Sequence, residues 1–194
     1  TQRIGAEFAL NGQLGEKWTW FSKYAYVRAT FETSQMISSV GHPSNTYDDD
    51  DLDDNELREQ YQIPIKHGKK IPGISPHIGR FGVGYSFKKN WTFSADIEAS
   101  SSQFYRGDED NTAGLKLPGH ILTNVGTEYN FSMGDKFRAG ANGTFFLTAR
   151  NIFGVNYETG GIFAENEVSG TGGSGTFVTP GQPRVIFAGV NVTW

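Results

Sequence analysis

The stretch that decides the fold is Pro183-Arg-Val-Ile-Phe-Ala-Gly-Val-Asn-Val-Thr-Trp194. Ile186, Ala188, Val190, Val192 and Trp194 alternate with Val185, Phe187, Gly189, Asn191 and Thr193. A β-strand sends successive side chains to opposite faces, so the first set forms one unbroken apolar stripe. The stripe closes on a large ring. A soluble sandwich seldom needs an aromatic residue there. A strand crossing an outer membrane does, because one face meets lipid and rings mark the interface. Gly189, Val192 and the final Trp194 also resemble the C-terminal signal by which barrel-assembly machinery recognises outer-membrane strands. Phe187 stands where that signal usually carries a polar residue.

Working outward, the same alternation recurs. In residues 91–102, Trp91, Phe93, Ala95, Ile97 and Ala99 oppose Thr92, Ser94, Asp96, Glu98 and Ser100. In 120–131, Ile121, Val125, Tyr129 and Phe131 oppose Asn124, Gly126, Glu128 and Asn130. Residues 136–150 set Phe137, Phe145 and Leu147 against Arg138, Thr148 and Arg150, and 76–87 set Phe81, Val83, Tyr85 and Phe87 against Arg80 and glycines. Residues 3–10 alternate too, with a turn expected at Asn11-Gly12. Residues 17–32 carry rings on both parities, so their faces stay open. Seven strands follow, and their connections run short, long, short, long, short, long. The long ones are 33–74, about 105–119 and about 154–182, expected as loops. Loops sorted by parity fit tight periplasmic turns and extended outer loops. Trp18 and Trp91 begin strands directly after short turns, as rings of an interfacial belt would.

Composition agrees with an all-β antiparallel transmembrane barrel. The chain has 194 residues, 25 of them Gly, with 14% aromatics and a mean hydropathy of −0.45. No run approaches the roughly 18 apolar residues of a spanning helix, whereas barrel strands give only a weak hydropathy signal. There is no Cys, which excludes disulfides and thiolate metal sites. A net charge of −4 speaks against a nucleic-acid partner. No Ser–His–Asp signature supports an enzyme. The sequence opens directly on strand-like residues, and bacterial single-chain barrels have even strand numbers. An odd count therefore predicts a C-terminal part of a longer barrel, or a chain that others must complete, since open edges in lipid leave backbone groups unpaired.

Three segments resemble the TonB-dependent outer-membrane receptors: Lys70-Ile-Pro-Gly-Ile-Ser-Pro-His-Ile-Gly-Arg80, Tyr105-Arg-Gly-Asp-Glu-Asp-Asn111, and Arg150-Asn-Ile-Phe-Gly-Val-Asn-Tyr157 with Thr179-Pro-Gly-Gln-Pro-Arg-Val-Ile-Phe-Ala-Gly189. Gly154 stands where Asp is common and Val185 where Thr is common. The resemblance implies a barrel of about twenty-two strands, of which these would be the last seven, spanning 1–194 with the plug domain absent. It further implies outer-membrane lipid, the rest of the barrel, a plug and TonB as partners. The whole would import a scarce extracellular nutrient, such as a ferric siderophore or corrinoid. A small passive porin or structural barrel is the alternative.

Candidate sites follow from charge. Asp48, Asp50 and Asp53 belong to a run of carboxylates ending at Glu56, expected as a solvated loop with calcium as the second option. It lacks the central Gly of an EF-hand loop, and no other cofactor is expected. Asp108, Asp110 and Asn111 offer close oxygen ligands, or a turn held by Asx bonds to backbone. The four histidines show no metal-ligand spacing. Asp96, Glu98, Glu128, Arg138 and Arg150 share one parity and are expected to face the lumen, because a charge facing mid-bilayer costs roughly 2–4 kcal/mol.

Overall fold

The computed structural model describes residues 1–39, 41–44, 62–132, 141–166 and 173–193. The acidic run with Asp48, Asp50 and Asp53, the turn after Ser132 with Phe137 and Arg138, and Trp194 lie outside them. Seven long strands carry the fold: β1 (Gln2–Leu14), β2 (Trp18–Thr30), β5 (His77–Lys88), β6 (Trp91–Ser100), β9 (His120–Ser132), β10 (Asn142–Arg150) and β13 (Val185–Thr193). They form one antiparallel sheet in that order, each beside its predecessor, with β1 and β13 as the edges. All long connections therefore leave from one end of the sheet and all short ones from the other.

Register settles the faces. Trp18, Trp20, Tyr24 and Tyr26 of β2 pair with Leu14, Gly12, Phe8 and Ala6 on one side and with Tyr85, Val83, Gly79 and His77 on the other. Directly opposed residues of antiparallel strands share a face. Carried across the sheet, that face holds Phe81, Ile97, Thr123 and then Phe93, Thr127, Leu147 and Ala188. It is apolar but for a few hydroxyls, Gln2, His77, Arg28 and, past the bulge at the end of β5, Lys88. The strand whose rings stood on both parities thus has its tryptophans on the apolar face and Phe21 on the polar one.

The apolar face is uncovered. Phe8 is 62% exposed, Ile121 63% and Ile186 66%. An apolar surface continuous over seven strands far exceeds the few hundred Å² that soluble monomers expose. Its height is also informative. From Trp18 the first charged residue on this face of β2 is Arg28. Those ten steps span about 33 Å at about 3.3 Å per residue. At a tilt of roughly 40° they rise about 25 Å, the height of an outer-membrane apolar band. At the short-turn end of the same face Trp18 packs on Tyr85 with ring centroids 4.5 Å apart, and Trp91 on Tyr129 at 4.8 Å.

Two expectations need correction. Asn11 and Gly12 are not a turn but lie inside β1; the chain reverses at Gly15, whose φ is +62°. Gly12 instead lies under Trp20, since a Cβ there would meet the indole at 2.7 Å. Packing of that ring outweighs the local turn preference. The long connections are also not plain loops. They contain three two-stranded sheets: β3 (Gln35–Ser38) with β4 (Gln62–Ile65), β7 (Gln103–Phe104) with β8 (Lys116–Leu117), and β11 (Glu158–Asn166) with β12 (Gly173–Pro180). Strands of two or four residues are too short to show a period, and Gly hides the pattern in the third. They form because they bury Ile63, Ile65, Tyr105, Leu117 and Phe163 to 8% exposure or less.

Candidate functional site at the long-loop end

Two asparagines organise this end. Asn111 has φ +56°, a left-handed conformation that Asn tolerates better than most residues. Its side chain then acts as a surrogate peptide group: Oδ1 accepts from Lys70 N at 2.7 Å, and Nδ2 donates to Lys70 O at 3.0 Å and Asp108 O at 3.1 Å. The segment around Lys70 and the turn at 105–111 are thus physically joined. Asn151, at φ +50° and 3% exposed, does the same between β10 and β13. It accepts from Val155 N at 2.8 Å and donates to Val155 O at 2.9 Å and Gln182 O at 3.2 Å. Sequence reasoning placed Asn151 within a family-like segment but gave it no role. The signal was its position at a strand end, followed by Gly154 with φ +64°.

The polar face connects to this end through a chain of bonds. Arg80 donates to both carboxylate oxygens of Asp96, at 3.0 and 3.1 Å. Asn124 Nδ2 donates to Asp96 at 2.9 Å, and Asn124 Oδ1 accepts from Asn151 N at 3.0 Å. Asp96, Glu98, Glu128 and Arg150 share this face by register. Arg150 lies over the Phe187 ring at 5.6 Å. Gly189, opposite Phe146, is on the polar face and Val192 on the apolar one.

Asp108 and Asp110 sit at the centre of the loops. Asp108 Oδ1 accepts from Thr112 N at 2.8 Å and Ala113 N at 3.1 Å, and Asp110 Oδ1 accepts from Thr112 N, two residues on, at 3.1 Å. The sequence gave no hint of what closes on it. His42, 66 residues away and 1% exposed, brings Nε2 to 3.1 Å from Asp110 Oδ1 and 3.7 Å from Asp108 Oδ1. Its Nδ1 lies 2.6 Å from Ser44 Oγ and 3.2 Å from Ser44 N. Burial pushes the Asp108 carboxyl above the usual range, helped by the facing Asp110, although two backbone N–H groups pull the other way. Burial acts on Asp110 likewise, but bonds from Thr112 and the neighbouring His42 outweigh it and hold that carboxyl low. The third long connection closes the cluster: Arg106 bridges Ile162, and Phe163 N donates to Arg106 O at 2.7 Å.

A hollow of about 1150 Å³ lies nearby, lined by Tyr24, His77, Ile121, Tyr157 and Pro180. Tyr24, His77 and Ile121 belong to the apolar face, so it is poorly placed as a vestibule for a polar nutrient.

A sheet with one uncovered apolar face, rings at the short-turn end and loops gathered at the other is a portion of an outer-membrane-type β-barrel. The chain matches the family described as TonB dependent receptor-like, beta-barrel, over residues 2–152, and it belongs to that family. The family is one of transporters and not of enzymes. Among solved structures it resembles the siderophore receptor PiuA from Acinetobacter baumannii, with a TM-score of 0.61 and 13% identity, over 98% of this chain and 22% of that one. It also resembles the ferric citrate transporter FecA in its unliganded form, with a TM-score of 0.59 and 19% identity, over 98% and 24%. The chain therefore spans about a quarter or less of the length of these structures. At such identities the likeness concerns the fold. A comparison with curated proteins found no match.

Proposed function

We propose that this chain is the C-terminal portion of the barrel of an outer-membrane receptor, which binds a scarce nutrient outside the cell and imports it with TonB-coupled energy. The observation that carries the membrane part is the uncovered apolar face, about 25 Å high at a typical barrel tilt. Family membership supports the receptor over a small passive barrel. Further strands would close the sheet at β1 and β13, because backbone groups at an edge have no partner in lipid. The polar face, with Asp96, Glu98, Glu128 and Arg150, would look into the lumen and meet a plug. Trp18 and Trp91 would sit at the periplasmic interface, and the strand ending in Gly189, Val192 and Trp194 would engage the barrel-assembly machinery. A ferric siderophore or a corrinoid is the kind of cargo proposed.

The test is uptake by intact cells. Iron-limited cells carrying the whole protein should accumulate a radiolabelled ferric siderophore or corrinoid that a deletion strain does not. Accumulation should stop when TonB is deleted or a protonophore is added. Uptake that continues unchanged without TonB would replace this reading with passive diffusion.

A further inference from the structure

We infer that His42, Asp108 and Asp110 form a binding site for one divalent transition-metal cation of the zinc class. The three donors come from two connections far apart in sequence, and their ligand atoms all lie within 4.8 Å of one another. Nε2 of His42 is 3.1 Å and 3.7 Å from the two carboxylate oxygens. Ligands held at about 2.0–2.1 Å in a tetrahedral shell are about 3.3 Å apart, so the spacing suits such an ion with little movement.

A second observation is independent of the clustering. Asp108 is 0% exposed, and its Oδ2 has no hydrogen-bond partner. A buried carboxylate oxygen left without a donor is costly. Among the described residues, neither Asp108 nor Asp110 pairs with a lysine or arginine; the cation-capable group facing both is His42. Two carboxylates and one imidazole, with His42 and Asp108 buried and Asp110 partly so, supply the charge and donors that a dication takes. The imidazole selects against calcium, which takes six to eight oxygens at longer distances.

The proton arrangement is specific. Without metal, Nε2–H donates to Asp110 and Nδ1 accepts from Ser44. Metal binding at Nε2 would place the proton on Nδ1, which then donates to Ser44 Oγ, as a ligating histidine does, while Ser44 N, which donates to Nδ1 at 3.2 Å without metal, would turn to another acceptor. The ion would pin the segment before Ser44 to the turn at 105–113. It would act next to the β11 contact, where a Cβ on Gly41 would lie 2.6 Å from Phe163 O. The site is thus a staple for three connections, and it does not depend on the transport reading.

The experiment uses the whole protein purified in detergent, stripped with EDTA and titrated with zinc chloride against a chromophoric chelator. Wild type should bind one equivalent that is absent from His42→Gln and Asp108→Asn. Losing a group that merely orients a ligand costs roughly 10–100-fold in affinity, so loss of a ligand should cost at least that. X-ray absorption at the zinc edge should show one imidazole nitrogen with oxygen neighbours. Heat-modifiable electrophoretic mobility reports folding, and Asp110→Asn replaces Asp108→Asn should the latter misfold. Zinc stoichiometry that is the same in the variants, absence of zinc binding by wild type, or displacement by equimolar calcium chloride would each overturn the proposal.

Discussion

The sheet and the loop cluster bury their side chains in opposite ways. In the sheet the large apolar residues are turned outward: Leu14 is 72% exposed and Val190 57%. In the cluster they are turned inward, with Leu117 at 2% and Phe163 at 5% beside Tyr105. The sheet is held by backbone ladders and leaves its apolar face to the surroundings. The cluster builds a small core of the kind found in soluble proteins and ties it with side-chain bonds to backbone. The lesson is that one chain meets two solvents, and each part has the polarity of its own.

The largest expected effect attacks the sheet. Val125 lies on the apolar face midway along β9, opposite Ala95 and Ala149. Val125→Arg should destabilise the folded protein in lipid vesicles by about 2–4 kcal/mol, the cost of a cation near mid-bilayer. Thr148→Arg, at a similar level on the polar face, should cost a small fraction of that. Equal urea midpoints for the two variants would show that the faces do not differ in solvent.

A smaller effect belongs to the cluster. Asn151→Ala removes three side-chain hydrogen bonds and leaves Ala at φ +50°. We expect a loss of about 1–3 kcal/mol, from unsatisfied buried backbone groups and the strained φ. It should appear as faster protease cleavage between residues 152 and 182, with the sheet unaffected. Cleavage at the wild-type rate would mean that the strands alone hold the connection.

The smallest effect tests the buried charge. Folding raises the Asp108 carboxyl pKa, so the folded state binds the proton more tightly than the unfolded state does. That contribution to stability is present at low pH and is lost as pH rises through the folded value. Asp108→Asn cannot ionise, and its amide Oδ1 can still accept from Thr112 and Ala113. In metal-free buffer near neutral pH it should be as stable as wild type or slightly more so, because an amide costs less to bury than a carboxylate. A large loss of stability in metal-free protein would show that the ionised carboxylate itself holds the turn.

How much could be foreseen divides along the same boundary. Strand parity in residues 91–102 and 120–131 gave the correct faces because a two-residue period survives in the sequence. In β2 the period was masked by Phe21, and only register with β1 and β5 resolved it. Asn11-Gly12 misled because a turn preference is local, whereas Trp20 needs room from across the strand pair. Side-chain bonds to backbone at Asp108 and Asp110 were one of two options that residue types alone offered. His42 was not foreseen, since nothing within 66 residues marks the histidine that a folded loop will deliver.

Four strand pairs place an aromatic ring directly over a glycine: Trp20 over Gly12, Phe21 over Gly82, Phe131 over Gly143 and Phe146 over Gly189. Slipping any of these pairs by one residue would drive the ring against a side chain and turn every apolar residue of that strand towards the wrong side. Each glycine is a keyhole cut for one key. These four locks would reject misaligned partners without help from the loops.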